Sequence, residues 1–460
     1  MDSAEQREWF FLENLGLRVT LILLSGITAL IVDYSRMLYL RKKMPPGPLP
    51  WPIAGNTLSL PKERPWYMVE QLSKDYKSPV ITFWIGRRHM LMFGELMNEQ
   101  DNLIHKYTYT NEQRERFRVL RKITHHGVGT QQVQQYREFQ DDKNMVLAYD
   151  ILKTPELFAS RFERYAAGVV SIVGLGRRIS NSQDTLITEV IAQMQHAAQL
   201  AVVAKDWLRI IETFPYENYA KFLFREAPQY NLSRGEVSSL VSNLFGAGAD
   251  TSSSTLITAV IAMRAFPETM KPAWDELDRV AGHSRSPTLD DELPYVRAFA
   301  KVFRWRAVAN LGGKTHAPTQ DDYWNCYFIP KGTWIQGNVW AIHHNEREFP
   351  DPDRFNPRRR LDTEDLRPFP GEKGYMTFGW GGGVVLVRRL LSRARISVLR
   401  ACFGPITLSL LSTRKQEVRY QLISSAILTD QIDVLSLSRS SSLLEARRLR
   451  KPFFVKGRKH

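Results

Sequence analysis

The sequence of 460 residues is poor in cysteine: it has two, Cys326 and Cys402, which are far too few for a disulfide framework. No short period recurs that would build a solenoid. With 24% charged and 11% aromatic residues, the chain also lacks the composition of a disordered or fibrous protein. These absences predict a globular protein whose main part faces a reducing compartment.

Long apolar runs are also scarce at the N-terminus, where residues 19–32 form a run of fourteen without a charge. A bilayer needs about 20 residues, so a buried or interfacial helix is one interpretation. Arg36 and the triplet Arg41-Lys42-Lys43 follow the run and favour a cytoplasmic side for what comes next, and no small-residue cleavage site precedes them. The sequence therefore favours a membrane anchor over residues 1–43.

The segment Pro45-Pro46-Gly47-Pro48 follows directly. Proline cannot continue a helix, and several prolines together favour an extended, stiff backbone. We expect a fixed spacer between the anchor and the main domain.

The net charge of +15 is unevenly distributed along the chain. Residues 384–460 contain 16 Lys and Arg against 4 Asp and Glu, a net charge of +12, together with eleven serines, and the rest of the chain carries only +3. A basic protein suggests an acidic partner such as a nucleic acid, but no aromatic-basic motif accompanies the charge. We therefore expect no nucleic-acid partner.

The pattern of apolar residues predicts a mainly α fold with small β-sheets, of the α+β class. Residues 80–93 form two short apolar runs around Gly86-Arg87-Arg88, which predicts a β-hairpin. Helical patterns cover 114–122, 180–208 and 256–266, and a second extended patch covers 327–339. There is no regular alternation of strands and helices, which argues against a nucleotide-binding sheet.

The segment LFGAGADTS, residues 244–252, is unusual for an apolar helix. Each glycine costs a helix about 1 kcal/mol, so the small residues need a reason, and the close approach of a flat group is one. The neighbouring acid and alcohol, Asp250 and Thr251, can then relay protons. The alternative is a glycine-rich turn in which Asp250 caps the next helix.

Three further motifs are weak alone: KVFRWR at 301–306 with GGKTHAP at 312–318, FPDPDRFNP at 349–357, and FGWG at 378–381. In this order and spacing, with the proline segment and the AGADT segment, the chain resembles the cytochrome P450 family of haem-thiolate monooxygenases. It is most similar to the membrane-anchored fungal members of secondary metabolism. The resemblance runs from about residue 41 to residue 381.

The resemblance implies a b-type haem with iron, electrons from NADPH through a separate reductase, and a small lipophilic substrate. It implies an endoplasmic reticulum membrane protein with its globular part in the cytoplasm. By the same resemblance, Asp250 and Thr251 are the catalytic residues that deliver protons. Residues expected to bind or brace the cofactor are Arg121 and His316 on the propionates, Arg304 joined to the segment of Arg354, and Phe378 at the start of the ligand loop.

The chain departs from the family pattern in the helix that leads to Arg304. The family has a glutamate three residues earlier, where this chain has Lys301, and the segment AFAKVFRWR is one residue short of the pattern. A lysine there is expected to place like charge against Arg304, and losing a buried ion pair costs roughly 3–5 kcal/mol. Phe117 also replaces the tryptophan that usually precedes Arg121 by four residues.

The largest departure lies in the ligand loop. The pattern Phe-Gly-x-Gly-x-Arg-x-Cys-x-Gly places its cysteine on Val385 and its last glycine on Val387. Valine cannot ligate iron, and neither Cys326 nor Cys402 lies in this loop. The chain is therefore expected to bind no metal through this loop and to be inactive as it stands, and the alternative function is that of a membrane-anchored pseudoenzyme that binds a lipophile or a partner.

A shifted reading frame is a hypothesis for this departure. When the last base of each codon is grouped with the first two of the next, Val384-Val385 can yield TGT, a cysteine codon, and Leu386-Val387 can yield GGT, a glycine codon. Both fall where the pattern requires them. The predicted organisation is an anchor at 1–43, a P450-like domain at 44–383 and an anomalous tail at 384–460, either frame-shifted or divergent.

Overall fold

The computed structural model describes residues 3–61, 63–94, 111–129, 137–178, 217–282, 287, 291–312, 315–361 and 376. The predicted helix at 180–208, Phe378, Val385 and the tail lie outside them. Within the described residues the chain forms ten α-helices: α1 Ser3–Lys43, α2 Pro65–Asp75, α3 Asn111–Val128, α4 Arg137–Lys153, α5 Phe158–Leu175, α6 Tyr219–Glu226, α7 Arg234–Ala265, α8 Met270–Val280, α9 Pro294–Phe299 and α10 Val339–His343.

Five short strands accompany these helices: β1 Val80–Ile85, β2 Arg88–Phe93, β3 Asp322–Trp324, β4 Tyr327–Ile329 and β5 Trp334–Gly337. β1 and β2 are antiparallel and β5 joins β2 in parallel, in the order β1-β2-β5, while β3 and β4 form a separate antiparallel pair. The predicted hairpin and the second extended patch are confirmed. So is the predicted fold class, mainly α with small β-sheets.

The chain divides into two units. The sheet unit comprises Met1–Thr110 and Leu311–Ile342, and the helical unit comprises Asn111–Asn310 and His343–His460. A small apolar cluster that includes Val69, Ile81 and Phe83 forms the core of the sheet unit.

The proline segment packs against strand β1 of the sheet unit. The Thr82 backbone N–H donates to the Pro46 carbonyl at 2.8 Å, and the Thr82 hydroxyl donates to the Pro45 carbonyl at 2.6 Å. Gly47 is required here, because a Cβ at this position would lie 2.0 Å from the Thr82 carbonyl oxygen. The helix ends at Lys43, before the prolines, and the segment is fixed because its carbonyls accept hydrogen bonds from the strand.

Helix α1 runs without interruption through the apolar run. Among the described residues, Leu17–Lys43 is the one helical segment long and apolar enough to cross a membrane, as judged from length and composition, with a mean hydropathy of 1.7. Its apolar side chains, including Ile22 and Val32, are exposed. This exposure excludes the alternative of a helix buried in the protein core.

The helical unit is built around α7, which packs along α5 and against the segment after α9. Gly174 of α5 lies at this contact, where a Cβ would lie 3.7 Å from the Leu244 side chain of α7. The core of the unit joins α4, α5, α7, α8 and α9 through buried side chains such as Leu147, Phe162, Leu256, Leu277 and Phe299. This packing fixes α7, which carries the first predicted motif.

Candidate active site

Helix α7 begins at a strongly braced N-terminus. Ser233 is the N-cap: its hydroxyl accepts from the Glu236 N–H, and the Glu236 carboxylate accepts in return from the Ser233 N–H. Arg116 of α3 holds the same carboxylate with two hydrogen bonds of 2.6 Å and donates to the carbonyls of Tyr230 and Asn231. The Arg116 guanidinium lowers the pKa of Glu236 to about 2.

The middle of α7 carries the AGADT segment as continuous helix. The alternative of a glycine-rich turn capped by Asp250 is therefore wrong. Gly246, Gly248 and Ala249 are buried, while Ala247 and Asp250 are exposed on the opposite side. The middle of α7 is therefore mostly buried, and it exposes one strip of small and polar residues that contains Ala247 and Asp250. We call it the open strip.

Asp250 and Thr251 lie side by side on this open strip. The Thr251 hydroxyl donates to the Ala247 carbonyl at 2.6 Å. The lone pairs of the hydroxyl oxygen therefore remain available to accept a hydrogen bond. Although the Asp250 side chain is open to solvent, the surrounding protein partly desolvates its carboxyl group and raises its pKa above the ordinary value. The pair can therefore hold and pass a proton at the surface of the helix.

Arg304 lies in a short 3₁₀ helix, Val302–Arg304, rather than in α9. It is only 4% exposed, and its guanidinium donates to the carbonyls of His343 at 3.0 Å and Pro352 at 2.8 Å. It also lies over the ring of Phe349, 5.4 Å from the centroid. Arg304 thus connects its own segment to the segment that contains Arg354.

The neighbouring Trp305 makes the same connection, since its indole N–H donates to the Asp353 carbonyl at 2.6 Å. Arg354 itself is 60% exposed at its side chain and contacts Glu268 at 3.4 Å. The structure therefore joins Arg304 to the backbone around Arg354 and places the Arg354 side chain at the surface.

Lys301 lies between the end of α9 and the 3₁₀ helix that contains Arg304. Its ammonium lies 5.7 Å from the centre of the Phe303 ring, and the side chain lines a surface cleft of about 430 Å³ with Glu292 and Arg297. The expectation of like charge between Lys301 and Arg304 stays a prediction, and the backbone leaves the helix at this point. Helix α9 ends at Phe299, and its continuation is the 3₁₀ turn that carries Arg304.

Two buried residues that the motifs did not indicate brace this region. Glu276 of α8 accepts from the backbone N–H groups of Tyr295 and Val296, both at 2.9 Å, and so caps the start of α9. The His343 ring accepts from the Met376 N–H at 3.1 Å, two residues before Phe378, and burial lowers its pKa well below the ordinary value. Two consecutive histidines after an apolar run were a sequence signal for His343. No sequence pattern indicated Glu276.

The remaining predicted residues are more scattered. Arg121 is half-buried on α3 in the helical unit. His316 lies in the sheet unit, where its backbone forms a two-way bridge with Ile335, at 2.9 and 2.8 Å. Phe378 and Val385 are outside the described residues.

The comparisons with known proteins agree with this fold and these motifs. The family model for cytochrome P450 matches residues 169–382, which include α7, α9 and the segment of Arg354. The chain belongs to the cytochrome P450 family. The match ends one residue before Gly383 and two before Val384.

Fungal P450 monooxygenases are similar to the chain over most of its length. Cytochrome P450 monooxygenase 58 of Postia placenta is 27% identical over 470 residues, which cover 85% of this chain and 86% of the relative. A cytochrome P450 monooxygenase of Armillaria gallica is 27% identical over 81% of this chain and 85% of the relative. A zebrafish cytochrome P450 solved with abiraterone has the same fold, with a TM-score of 0.61 and 21% identity over 74% of this chain and 91% of that one.

The residues of this P450 do not fit a haem-thiolate centre. Such a centre needs a cysteine thiolate as axial ligand. Cys326 is exposed in the turn between β3 and β4 of the sheet unit, and the family pattern falls on Val385. The open strip on α7 suits a flat group, but the chain has no cysteine in the loop that would hold its iron.

Proposed function

We propose that this chain derives from a P450 monooxygenase that oxidises a small lipophilic substrate, and that the chain as it stands does not activate oxygen. The main observation behind this proposal is that Val385 occupies the position of the cysteine ligand. A correctly read protein would hold a b-type haem and take electrons from NADPH through a reductase. Its α1 would anchor it in the endoplasmic reticulum membrane, with the globular part in the cytoplasm.

The proposed site residues are those that the family pattern indicates, and contacts within the helical unit support some of them. Asp250 and Thr251 would manage protons at the open strip of α7, where the acid has a raised pKa and the hydroxyl is held by Ala247. Arg304 and Arg354 would brace the fold beneath the ligand loop, and Arg121 with His316 would receive the propionates. Phe378 would open the loop itself.

The frame-shift hypothesis is supported by the end of the family match at residue 382. Up to that point the chain follows the family, and after it come the basic, serine-rich residues 384–460 that carry +12 of the net charge. We propose that these residues form an anomalous tail, beyond an anchor at 1–43 and a P450-like domain at 44–383. Sequencing the transcript across codons 381–384 tests this directly.

The spectroscopic test compares the full chain with a version expressed from the frame-corrected gene. We expect no thiolate-type band in the reduced carbon-monoxide difference spectrum of the chain as it stands, and a restored band after correction. A thiolate band from the uncorrected chain would contradict the proposed loss of the ligand.

The second candidate is a haem-free, membrane-anchored pseudoenzyme that binds a lipophile. It is favoured by the open strip of small residues on α7 together with the absent cysteine. An in-frame transcript whose codons cannot regroup to cysteine would select it over the frame-shift explanation. Binding of a lipophilic fluorophore to the full chain would then be expected, with loss of binding on Ala247→Phe.

A further inference from the structure

Helix α4 carries apolar side chains on two opposite sides. The inner side packs in the core of the helical unit through Leu147 and Ile151, each 1% exposed. Large apolar side chains that are between 49% and 61% exposed lie on the outer side: Met145, Val146, Tyr149 and Leu152. Single exposed apolar residues are ordinary, but a contiguous group marks a contact surface. We call these four residues the outer stripe.

The spacing of the outer stripe is that of a helix-packing face. Met145, Tyr149 and Leu152 follow the i, i+4, i+7 pattern, which brings their side chains onto one side of the helix. Val146 lies beside them, three residues before Tyr149. At 1.5 Å per residue the stripe is about 10 Å long. It therefore suits a short contact with another helix.

The fold holds α4 in place, so the outer stripe is presented by a fixed helix. The Asp150 carboxylate pairs with Arg164 of α5. A Cβ on Gly168 of α5 would lie 3.8 Å from the Lys143 side chain, which shows how closely the two helices pack. A partner that binds the stripe therefore does not have to order the helix first.

Opposite charges lie at the two ends of the same face. Asp142 is exposed seven residues before Tyr149, and Lys153 is exposed four residues after it, with its ammonium 5.3 Å from the centre of the Tyr149 ring. Two antiparallel copies of α4 would place Asp142 of each copy near Lys153 of the other, and Met145 near Leu152. A parallel pair would instead bring like charges together. The outer stripe is thus complementary to itself in one orientation.

We propose that the outer stripe binds the outer stripe of a second copy of this chain, with the two α4 helices antiparallel about a two-fold axis near Ala148. A bilayer suits the face less well, because interfacial helices are rich in Lys and Arg, whereas exposed Asp142 and Glu156 flank this stripe. Four side chains provide less than the roughly 800 Å² per partner of a standard stable interface. The dimer is therefore weak and reversible.

The first test measures self-association of the full chain in detergent micelles, by sedimentation equilibrium at matched detergent density. Helix α1 can also self-associate, so a pair of variants decides: Tyr149→Glu on the outer stripe, and Tyr323→Glu at an exposed tyrosine of β3 as the matched control. We expect Tyr149→Glu to raise the dimer Kd at least about tenfold and the control to leave it unchanged. Thermal unfolding verifies that both variants are folded.

Two results of this test would overturn the proposal. One is association of Tyr149→Glu as tight as that of the unaltered chain, which would place the contact elsewhere. The other is an unaltered chain that stays monomeric at every concentration. If Tyr149→Glu then also lost binding to phosphatidylcholine vesicles, the occupant of the face would be lipid.

The second test examines the orientation by cysteine cross-linking, in a background of Cys326→Ser and Cys402→Ser. In an antiparallel pair, position 145 of one copy lies opposite position 152 of the other, while each position is about 10 Å along the axis from its own symmetry mate. We expect oxidation to join Met145→Cys to Leu152→Cys in a mixed sample, and neither variant to join to itself. Cross-linking of each variant to itself, without the mixed product, refutes the antiparallel pair.

A charge exchange provides a variant set that leaves the apolar residues intact. Asp142→Lys should raise the dimer Kd several-fold, because it faces Lys153 of the second copy with like charge. Adding Lys153→Asp to the same chain should restore the original Kd. A double variant that binds no more tightly than Asp142→Lys alone would refute this pairing of charges and with it the proposed dimer.

Discussion

Helices α7 and α9 both lie in the core of the helical unit, where α7 carries a P450 motif and α9 leads into one, yet α7 is continuous for 32 residues and α9 ends after six. Both are well capped at their starts, α7 by Ser233 and Glu236, and α9 by Glu276. The difference therefore does not come from helix initiation. It comes from the register of the residues that follow.

The register problem of α9 is visible in its buried residues. Val302, Phe303, Arg304 and Trp305 are all buried, and four successive positions cannot share one face of a helix. At about 100° per residue, an unbroken helix would turn Arg304 about 180° away from the buried Tyr295. One additional residue would reduce this angle to about 80°, so we infer that a residue missing from this segment contributes to the break before Arg304.

The largest expected effect is that of Arg304→Ala. The change leaves the carbonyls of His343 and Pro352 without their charged donor, and we expect the free energy of unfolding to fall by about 3 kcal/mol. Urea denaturation of the full chain measures it. Arg354→Ala, at an exposed site, is the control and should change stability by no more than about 0.5 kcal/mol. Equal losses in both variants would contradict the buried role of Arg304.

The second prediction tests the register directly, by inserting Glu between Lys301 and Val302. The insertion lets α9 continue and places the acid three residues before the arginine, so we expect the free energy of unfolding to rise by about 2 kcal/mol. Hydrogen exchange should show new protection of the amides after Phe299. Inserting Ala should give part of the gain, and a loss of stability in both insertions would show that register does not explain the break.

The third prediction concerns the start of α7. Because the folded pKa of Glu236 is about 2 and its ordinary value is 4.5, its contribution is fully present above about pH 5 and is lost as the pH falls toward 2. We expect Glu236→Gln to cost about 1 kcal/mol at neutral pH, since the pair is partly exposed. Thermal unfolding across this pH range measures it. Glu217→Gln, which removes an exposed pair with Arg225, should cost less.

The smallest expected effect is at the middle of α7. The folded pKa of Asp250 is raised, so its ionisation opposes folding once the pH exceeds the ordinary value of 3.8. Asp250→Asn should raise stability at neutral pH by about 0.5 kcal/mol or less and have no effect near pH 3. A gain of the same size at both pH values would indicate a different cause.

Much of the fold could be predicted from local patterns. Two short apolar runs around Gly86 indicate the hairpin, and the motif order indicates the family. The break after Phe299 could not be predicted, because residues 294–306 contain no glycine or proline after Pro294 and depend on packing for their path. Glu276 could not be predicted as a cap either, since it lies far from Tyr295 in sequence.

For the candidate active site, the sequence predicted the residue types but not their arrangement. The sequence indicates the Asp250 and Thr251 pair, but the choice between helix and turn depended on packing of α7 against α5. The family pattern puts Lys301 in a helix that leads to Arg304, whereas the helix ends at Phe299 and Lys301 precedes a 3₁₀ turn. Residue 385 needs no structure, since no conformation makes a valine a ligand.

The proline segment on strand β1 has a consequence for solubility. β1 lies at the outer end of the order β1-β2-β5, and an open strand edge can pair with another molecule. Pro45, Pro46 and Pro48 have no N–H to donate, so the segment that covers this edge cannot itself extend the sheet. By occupying the edge while offering few donors of its own, it protects the sheet unit from edge-to-edge aggregation.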